Sequence, residues 1–111
     1  MKTDFTQALK ELDGTSIRVG EKDLTLKDVS CTSLSLPFAD EQISGEEKAK
    51  RGLLAFRLYV NPDIDLTLEE LGLIKKLIGK GYGSIIVAQA WEMLEGKNEM
   101  VDGEFTAKGL K

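Results

Sequence analysis

The chain has 111 residues, of which 41% are hydrophobic and 31% charged, and its formal net charge is −4. Such a length and composition are typical of one soluble globular domain. The sequence contains no histidine, which removes the commonest general base and the commonest zinc ligand. The mild negative charge also argues against a general nucleic-acid binder.

Two further features of the composition concern the cellular compartment. Cys31 is the single cysteine, so no disulfide can form within the chain, and a reducing cytoplasm is the expected environment. No apolar run approaches the length of a membrane span, and residues 1–12 lack the apolar segment of a signal peptide. We therefore expect a cytoplasmic protein with no membrane partner.

The N-terminal region predicts a small β-hairpin. Asp13-Gly14 is a strong tight-turn signal, and Ile17 and Val19 alternate as they do in a strand. A helix over residues 5–12 is the alternative, since Phe5, Leu9 and Leu12 also fit helical spacing. Residues 21–23 are polar and predict a connection.

The first helix is predicted to begin at Thr25, with Asp28 as the acidic residue of its first turn. Leu26, Val29 and Ser33 share one face of this helix. Residues 31–36 are rich in serine and threonine and have poor helix propensity, and Pro37 ends the helix.

The second helix is predicted over residues 45–60, since Ser44 and Glu47 have capping-box spacing. Its main apolar stripe, expected to face the core, consists of Ala49, Gly52, Leu53, Phe56 and Val60. Leu54 and Leu58 fall on another side of this helix. Together with Ile85 of the last helix they form a predicted interaction face, of which at least part is expected to be exposed in the monomer and buried in an assembly. The alternative is that the hairpin and the first helix cover all three residues.

Two more helices are predicted in the C-terminal half. Thr67 and Glu70 have capping-box spacing, and we expect glycines near residues 79–81 to end the third helix in the left-handed conformation. The fourth begins near Gly83 and ends near Gly96. The third helix carries the apolar stripe Leu71, Leu73, Ile74, Leu77 and Ile78, and the fourth carries Ile86, Val87, Ala90, Trp91, Met93 and Leu94.

These elements predict a mainly α member of the α+β class. An N-terminal β-hairpin is expected to pack on a compact bundle of about four helices, in a single domain formed by residues 1–96. The apolar periodicity stops after Gly96, so residues 97–111 are predicted to be a mobile tail.

Several motifs show a resemblance to a known group. They are Leu12-Asp13-Gly14, Asp23-Leu24-Thr25-Leu26, Leu66-Thr67-Leu68-Glu69-Glu70 and Val87-x-Gln89-Ala90-Trp91-x-x-Leu94-Glu95-Gly96. With these motifs the chain resembles small proteins encoded by tailed bacteriophages and prophages. The resemblance implies a phage context in a bacterial host cell, and it implies no catalytic residues.

Two motifs are similar to ligand-binding loops. Gly81, Gly83 and Ser84 form a possible anion-binding turn, but a phosphate loop follows a strand, and this turn follows a helix. Asp63-x-Asp65-x-Thr67 is similar to the start of a calcium loop but has Leu68 where that loop requires glycine. We expect no metal, no cofactor and no catalytic residue.

The sequence therefore predicts a non-enzymatic phage or prophage accessory protein that acts through protein–protein interaction. Its partner would be another protein, host or viral, or a second copy of itself. The alternative is a nucleic-acid-associated regulator with a degenerate helix-turn-helix. The last helix argues against that alternative, since residues 84–95 contain no lysine or arginine for base edges or phosphates.

Overall fold

A computed structural model describes residues 3–61 and 63–96, and the predicted mobile tail of residues 97–111 lies outside this part of the chain. Two short strands come first, β1 (Arg18–Val19) and β2 (Lys22–Asp23). Four helices follow, namely α1 (Leu26–Ser35), α2 (Gly45–Val60), α3 (Leu68–Gly81) and α4 (Ser84–Leu94). The predicted architecture of an N-terminal hairpin on a bundle of helices is confirmed.

The N-terminal region contains two successive tight turns, of which the sequence indicated the first. Across Asp13 and Gly14, Lys10 pairs with Ser16 in an antiparallel bridge, so the predicted turn is present and the alternative helix over residues 5–12 is not. The prediction of a polar connection at residues 21–23 was wrong, because Lys22–Asp23 forms β2 and pairs antiparallel with β1. Gly20 makes this second turn possible, since its φ of +66° is a conformation that other residues rarely adopt.

Backbone hydrogen bonds and buried side chains hold this region to the helices. The amide of Leu9 donates to the carbonyl of Leu24 at 2.9 Å, and the amide of Lys27 donates to the carbonyl of Phe5 at 2.8 Å. Phe5 and Leu9 are both fully buried. The N-terminal segment therefore belongs to the same core as the helices.

Gln89 connects α4 to the N-terminal segment. Its Oε1 accepts a hydrogen bond from the amide of Lys10, and its Nε2 donates one to the carbonyl of Lys10, both at 2.8 Å. Gln89 thus satisfies both backbone groups of one residue, as a neighbouring strand does. Gln89 lies outside the predicted apolar stripe of α4, and this pairing explains why it is nevertheless partly buried.

Helix α1 occupies the middle of the bundle and packs against both α2 and α3. It begins as predicted, with a reciprocal capping box between Thr25 and Asp28. Ser30 and Ser33 lie fully buried on its packed face, and their hydroxyl oxygens have no hydrogen-bond partner among the described residues. These small side chains let the neighbouring helices approach α1, at the free-energy cost of an unsatisfied hydroxyl.

Helix α3 begins and ends where the sequence predicts, but it does not end in the predicted conformation. The capping box between Thr67 and Glu70 is present. The last residue of α3 is Gly81, as predicted, but neither Gly79 nor Gly81 has a positive φ, so the expected left-handed conformation is wrong. The connection to α4 is therefore reduced to Tyr82 and Gly83. At the end of α4 the expectation holds, since Gly96 has a φ of +75°.

The core is shared by all four helices and the N-terminal segment. Its buried apolar residues are Phe5, Leu9, Leu26, Val29, Leu34, Leu54, Leu58, Leu66, Leu71, Ile74, Leu77, Ile78, Ala90, Met93 and Leu94. The buried positions of α3 belong to its predicted stripe, whereas those of α2 do not. None of the described helices has both the length and the apolar character needed to cross a membrane.

Candidate interaction surface

The most exposed apolar surface on a helix runs along the side of α2 that faces away from α1. Leu53 is 63% exposed, Phe56 72% and Val60 80%. These residues recur at helical spacing, so they form one continuous stripe with the exposed Ala49 on the preceding turn. Tyr59 borders the stripe and is 61% exposed. We call Ala49, Leu53, Phe56, Tyr59 and Val60 the outer face of α2.

The predicted interaction face of Leu54, Leu58 and Ile85 is wrong at two of its three positions. Leu54 is 5% exposed and Leu58 is fully buried, because α1 packs against this side of α2. Ile85 is 40% exposed, as expected, but it lies on α4 beside Leu12 and Ile17, at a surface groove of about 430 Å³. The structure therefore does not bring the three residues together on one surface.

A cluster of charges lies on the inward side of α2. Arg51 lies on the same side as Leu54 and Leu58 and is 5% exposed. Its Nη1 and Nη2 donate to the two carboxylate oxygens of Glu41 at 2.8 and 3.1 Å. Its Nε donates to Glu47 at 3.3 Å. Because a buried guanidinium needs such partners, the side that carries Arg51 is held against the loop that contains Glu41.

The loop between α1 and α2 is held by the same charges. Lys80 at the end of α3 lies 3.0 Å from Asp40 and 3.4 Å from Glu41. The hydrogen bonds from Arg51 lower the pKa of Glu41 to about 2. Glu41 lies in a loop, yet its side chain is only 9% exposed. Arg51 and Glu41 form part of the lining of an adjoining cavity of about 480 Å³. The charges of these two side chains neutralise each other.

Tyr59 marks one edge of the outer face. The ammonium group of Lys27 in α1 lies 4.2 Å from the centroid of the Tyr59 ring, which is a cation–π contact. This contact covers part of the ring from the α1 side. Leu53, Phe56 and Val60 remain open to solvent, so the larger part of the face is available for binding.

The possible anion-binding turn does not keep its expected form. Gly81 lies inside α3, and only Gly83 and Ser84 stand at the start of α4, where Gly83 is the N-cap and provides no side-chain hydrogen bond. The groove beside them is lined by Glu11 and by the apolar residues Leu12, Ile17, Ile85 and Ile86. A carboxylate at this position disfavours an anion, so the turn connects two helices and no binding role follows from it.

Cys31 and the calcium-like motif both make structural contacts. The thiol of Cys31 donates to the carbonyl of Ala55 at 3.5 Å, and burial raises the pKa of this thiol, which weakens it as a nucleophile. Thr67, the last residue of the calcium-like motif, is the N-cap of α3. Within residues 3–61 and 63–96 no group of three or more acidic, cysteine or histidine side chains is placed to hold a metal ion.

Trp91 belongs to the predicted apolar stripe of α4, but the structure places it outside the buried core. Its side chain lies across α3, where a Cβ on Gly79 would come within 3.3 Å of Cζ2, and it is 38% exposed. The indole N–H donates to the carbonyl of Lys75 at 3.0 Å. The Lys75 ammonium lies 4.9 Å from the ring and 2.6 Å from Glu95. The ring thus joins α3 and α4 at the surface.

We expect Trp91→Ala to lower the free energy of unfolding by about 1.5 kcal/mol, less than the 3–5 kcal/mol typical of a buried tryptophan. Trp91→Phe is the comparison variant, since it keeps an aromatic ring at this position and loses the hydrogen bond to Lys75 together with part of the indole. Urea unfolding followed by far-UV circular dichroism measures both variants. A loss above about 4 kcal/mol for the alanine variant would mean that the ring is a core element after all.

Comparison with known proteins gives no relative from which a role can be transferred: no protein-family model matches the chain, and no curated protein or solved structure is significantly similar to it. The role of the outer face of α2 is therefore inferred from its exposure, its packing and its surrounding charges.

Proposed function

We propose that this chain is a non-enzymatic interaction protein that binds another protein through the outer face of α2. The supporting observation is that one helix carries two apolar sides and that the bundle covers only one of them. Leu54 and Leu58 lie in the core, whereas Leu53, Phe56 and Val60 lie in solvent. Scattered apolar residues are normal on a protein surface, but a continuous apolar stripe of this kind marks a binding site.

The proposal includes a cellular context, the cytoplasm of a bacterial host. The resemblance of the sequence motifs to small phage and prophage proteins supports an accessory role in the cytoplasm of a bacterial host. The surroundings of the outer face are compatible with protein binding, since Glu46, Lys48 and Lys50 are exposed on the same helix. An apolar centre with a polar rim of mixed charge is the usual anatomy of a protein–protein interface.

The alternative role in nucleic-acid binding has no support from α4. This helix contains no lysine or arginine, and Gln89, its one amide side chain, is occupied by Lys10. A recognition helix needs such groups for base edges and phosphates. We expect no salt-dependent mobility shift of the protein with duplex DNA, and a clear shift would favour the alternative.

The proposal is tested by photo-crosslinking in a bacterial host cell. A photoreactive phenylalanine analogue at position 56 reports on the outer face, and the same analogue at Leu12, which is 87% exposed on the N-terminal region, is the matched control. We expect discrete adducts from position 56 on irradiation and none from position 12. Their mass shows whether the crosslinked species is a second copy or a different protein. If position 56 gives no adduct beyond the control, the proposed function is wrong.

A further inference from the structure

The spacing of the apolar residues on α2 suits contact with another helix. Ala49, Leu53, Phe56 and Val60 follow one another at intervals of four, three and four residues. This is the spacing of the seam along which two helices pack in a coiled coil. The seam is short, since residues 49–60 extend over roughly 16 Å of helix.

Small residues permit a close approach at the start of this seam. Ala49 is the first seam residue, and a Cβ built on Gly52, beside the seam, would meet no other atom within 4 Å. Among the described residues, none therefore crowds the α2 backbone at Gly52. A partner helix can come near the α2 backbone here, as interdigitated packing requires.

We propose that the outer face of α2 is covered by the same face of a second copy of this chain, in a twofold dimer. This inference rests on the proposed function and names the partner of the same surface. In a twofold contact the same patch is used by both copies, so the apolar centre of one face meets the apolar centre of the other. The exposed charges at the margin, Glu46, Lys48 and Lys50, remain in solvent around it.

The area of the face agrees with a weak dimer. Since an aromatic side chain presents roughly 150–250 Å², the exposed parts of Phe56, Tyr59 and their aliphatic neighbours amount to on the order of 500 Å². Contact between two copies buries this area on both, about 1,000 Å² in total, which is near the lower limit for a specific interface. The dimer should therefore dissociate on dilution.

Sedimentation velocity of the purified full chain, from low micromolar to near-millimolar concentration, tests the dimer. We expect the mass to rise with concentration from 12.2 kDa towards twice that value. Phe56→Ser and Leu53→Ser should remain monomeric throughout, whereas the control Leu12→Ser should dimerise as the parent does. Because the mutated residues are exposed, each variant should keep the parent circular dichroism spectrum, which is recorded for all.

Two results would overturn the inference. One is a parent chain that stays monomeric at every concentration, and the other is a dimer that persists in both Phe56→Ser and Leu53→Ser. Crosslinking then separates the inference from the proposed function. A monomeric chain whose position 56 forms an adduct with a different protein contradicts the dimer and supports the function. A monomeric chain that forms no adduct contradicts both.

Discussion

Leu58→Ala is expected to lower the free energy of unfolding by about 3 kcal/mol, whereas Phe56→Ala is expected to change it by less than about 0.5 kcal/mol. The two residues are half a turn apart on α2, and Phe56 is the larger. The difference arises because Leu58 is fully buried against α1 and Phe56 is 72% exposed. Truncation of Leu58 leaves a cavity in the core, whereas truncation of Phe56 in a monomer leaves a space that solvent fills.

Urea unfolding at low micromolar concentration measures both variants. The low concentration matters because any dimer contact through Phe56 would add to the apparent stability of the parent. Leu54→Ala provides a second buried position, with an expected loss of the same order as that for Leu58→Ala. If Phe56→Ala proved as destabilising as Leu58→Ala under these conditions, the assignment of the outer face would be wrong.

The starts of α1, α2 and α3 were predictable from the sequence because they depend on local chemistry. Thr25, Ser44 and Thr67 each accept a hydrogen bond from an amide three residues later, and their spacing to Asp28, Glu47 and Glu70 is visible in the sequence. Residues that define such a cap are near neighbours in the chain. No tertiary contact is needed to recognise them.

The inward side of α2 was not predictable in the same way. Both sides of the helix are apolar, and the stripe with more apolar residues turned out to be the exposed one. The choice depends on contacts between distant residues, above all the packing of α1 and the pairing of Arg51 with Glu41, ten residues earlier. The signal available in the sequence was an arginine on the same side of the helix as two leucines. If that side is buried, Arg51 requires a carboxylate nearby.

The same dependence on distant contacts explains why the surroundings of Trp91 and Gln89 were not predicted. Helical spacing placed Trp91 with the apolar residues of α4, but its ring lies over Gly79 and its N–H bonds to α3. The partner of Gln89 is 79 residues away in the sequence. Periodicity along one helix shows which residues share a side, and it does not show how far a neighbouring element covers that side.

Arg51→Met is expected to lower the free energy of unfolding by about 3 kcal/mol at neutral pH. Arg51 donates two hydrogen bonds to Glu41 and one to Glu47, and its side chain is 6% exposed. Its removal leaves the carboxylate of Glu41, itself 9% exposed, with Lys80 at 3.4 Å as its remaining charged contact. Methionine keeps most of the volume, so the loss reports on the ion pair more than on packing.

The pH dependence of this loss distinguishes the ion pair from a general packing defect. The pKa of Glu41 is about 2 in the folded chain against 4.5 in the absence of these contacts. Since the folded-state pKa is the lower one, the stabilisation is fully present above pH 4.5 and is lost as the pH falls towards 2. The difference in stability between the parent chain and Arg51→Met should therefore shrink over this interval.

Thermal unfolding from pH 7 down to pH 2, compared between the parent, Arg51→Met and Glu41→Gln, measures this effect. Glu41→Gln is the matched control, because it keeps the shape of the side chain and cannot titrate. Its stability should fall less steeply than that of the parent in the acid range. Parallel curves for the parent and both variants would mean that Glu41 and Arg51 are not paired. In that case the loop that contains Glu41 would not hold the Arg51 side of α2 inward.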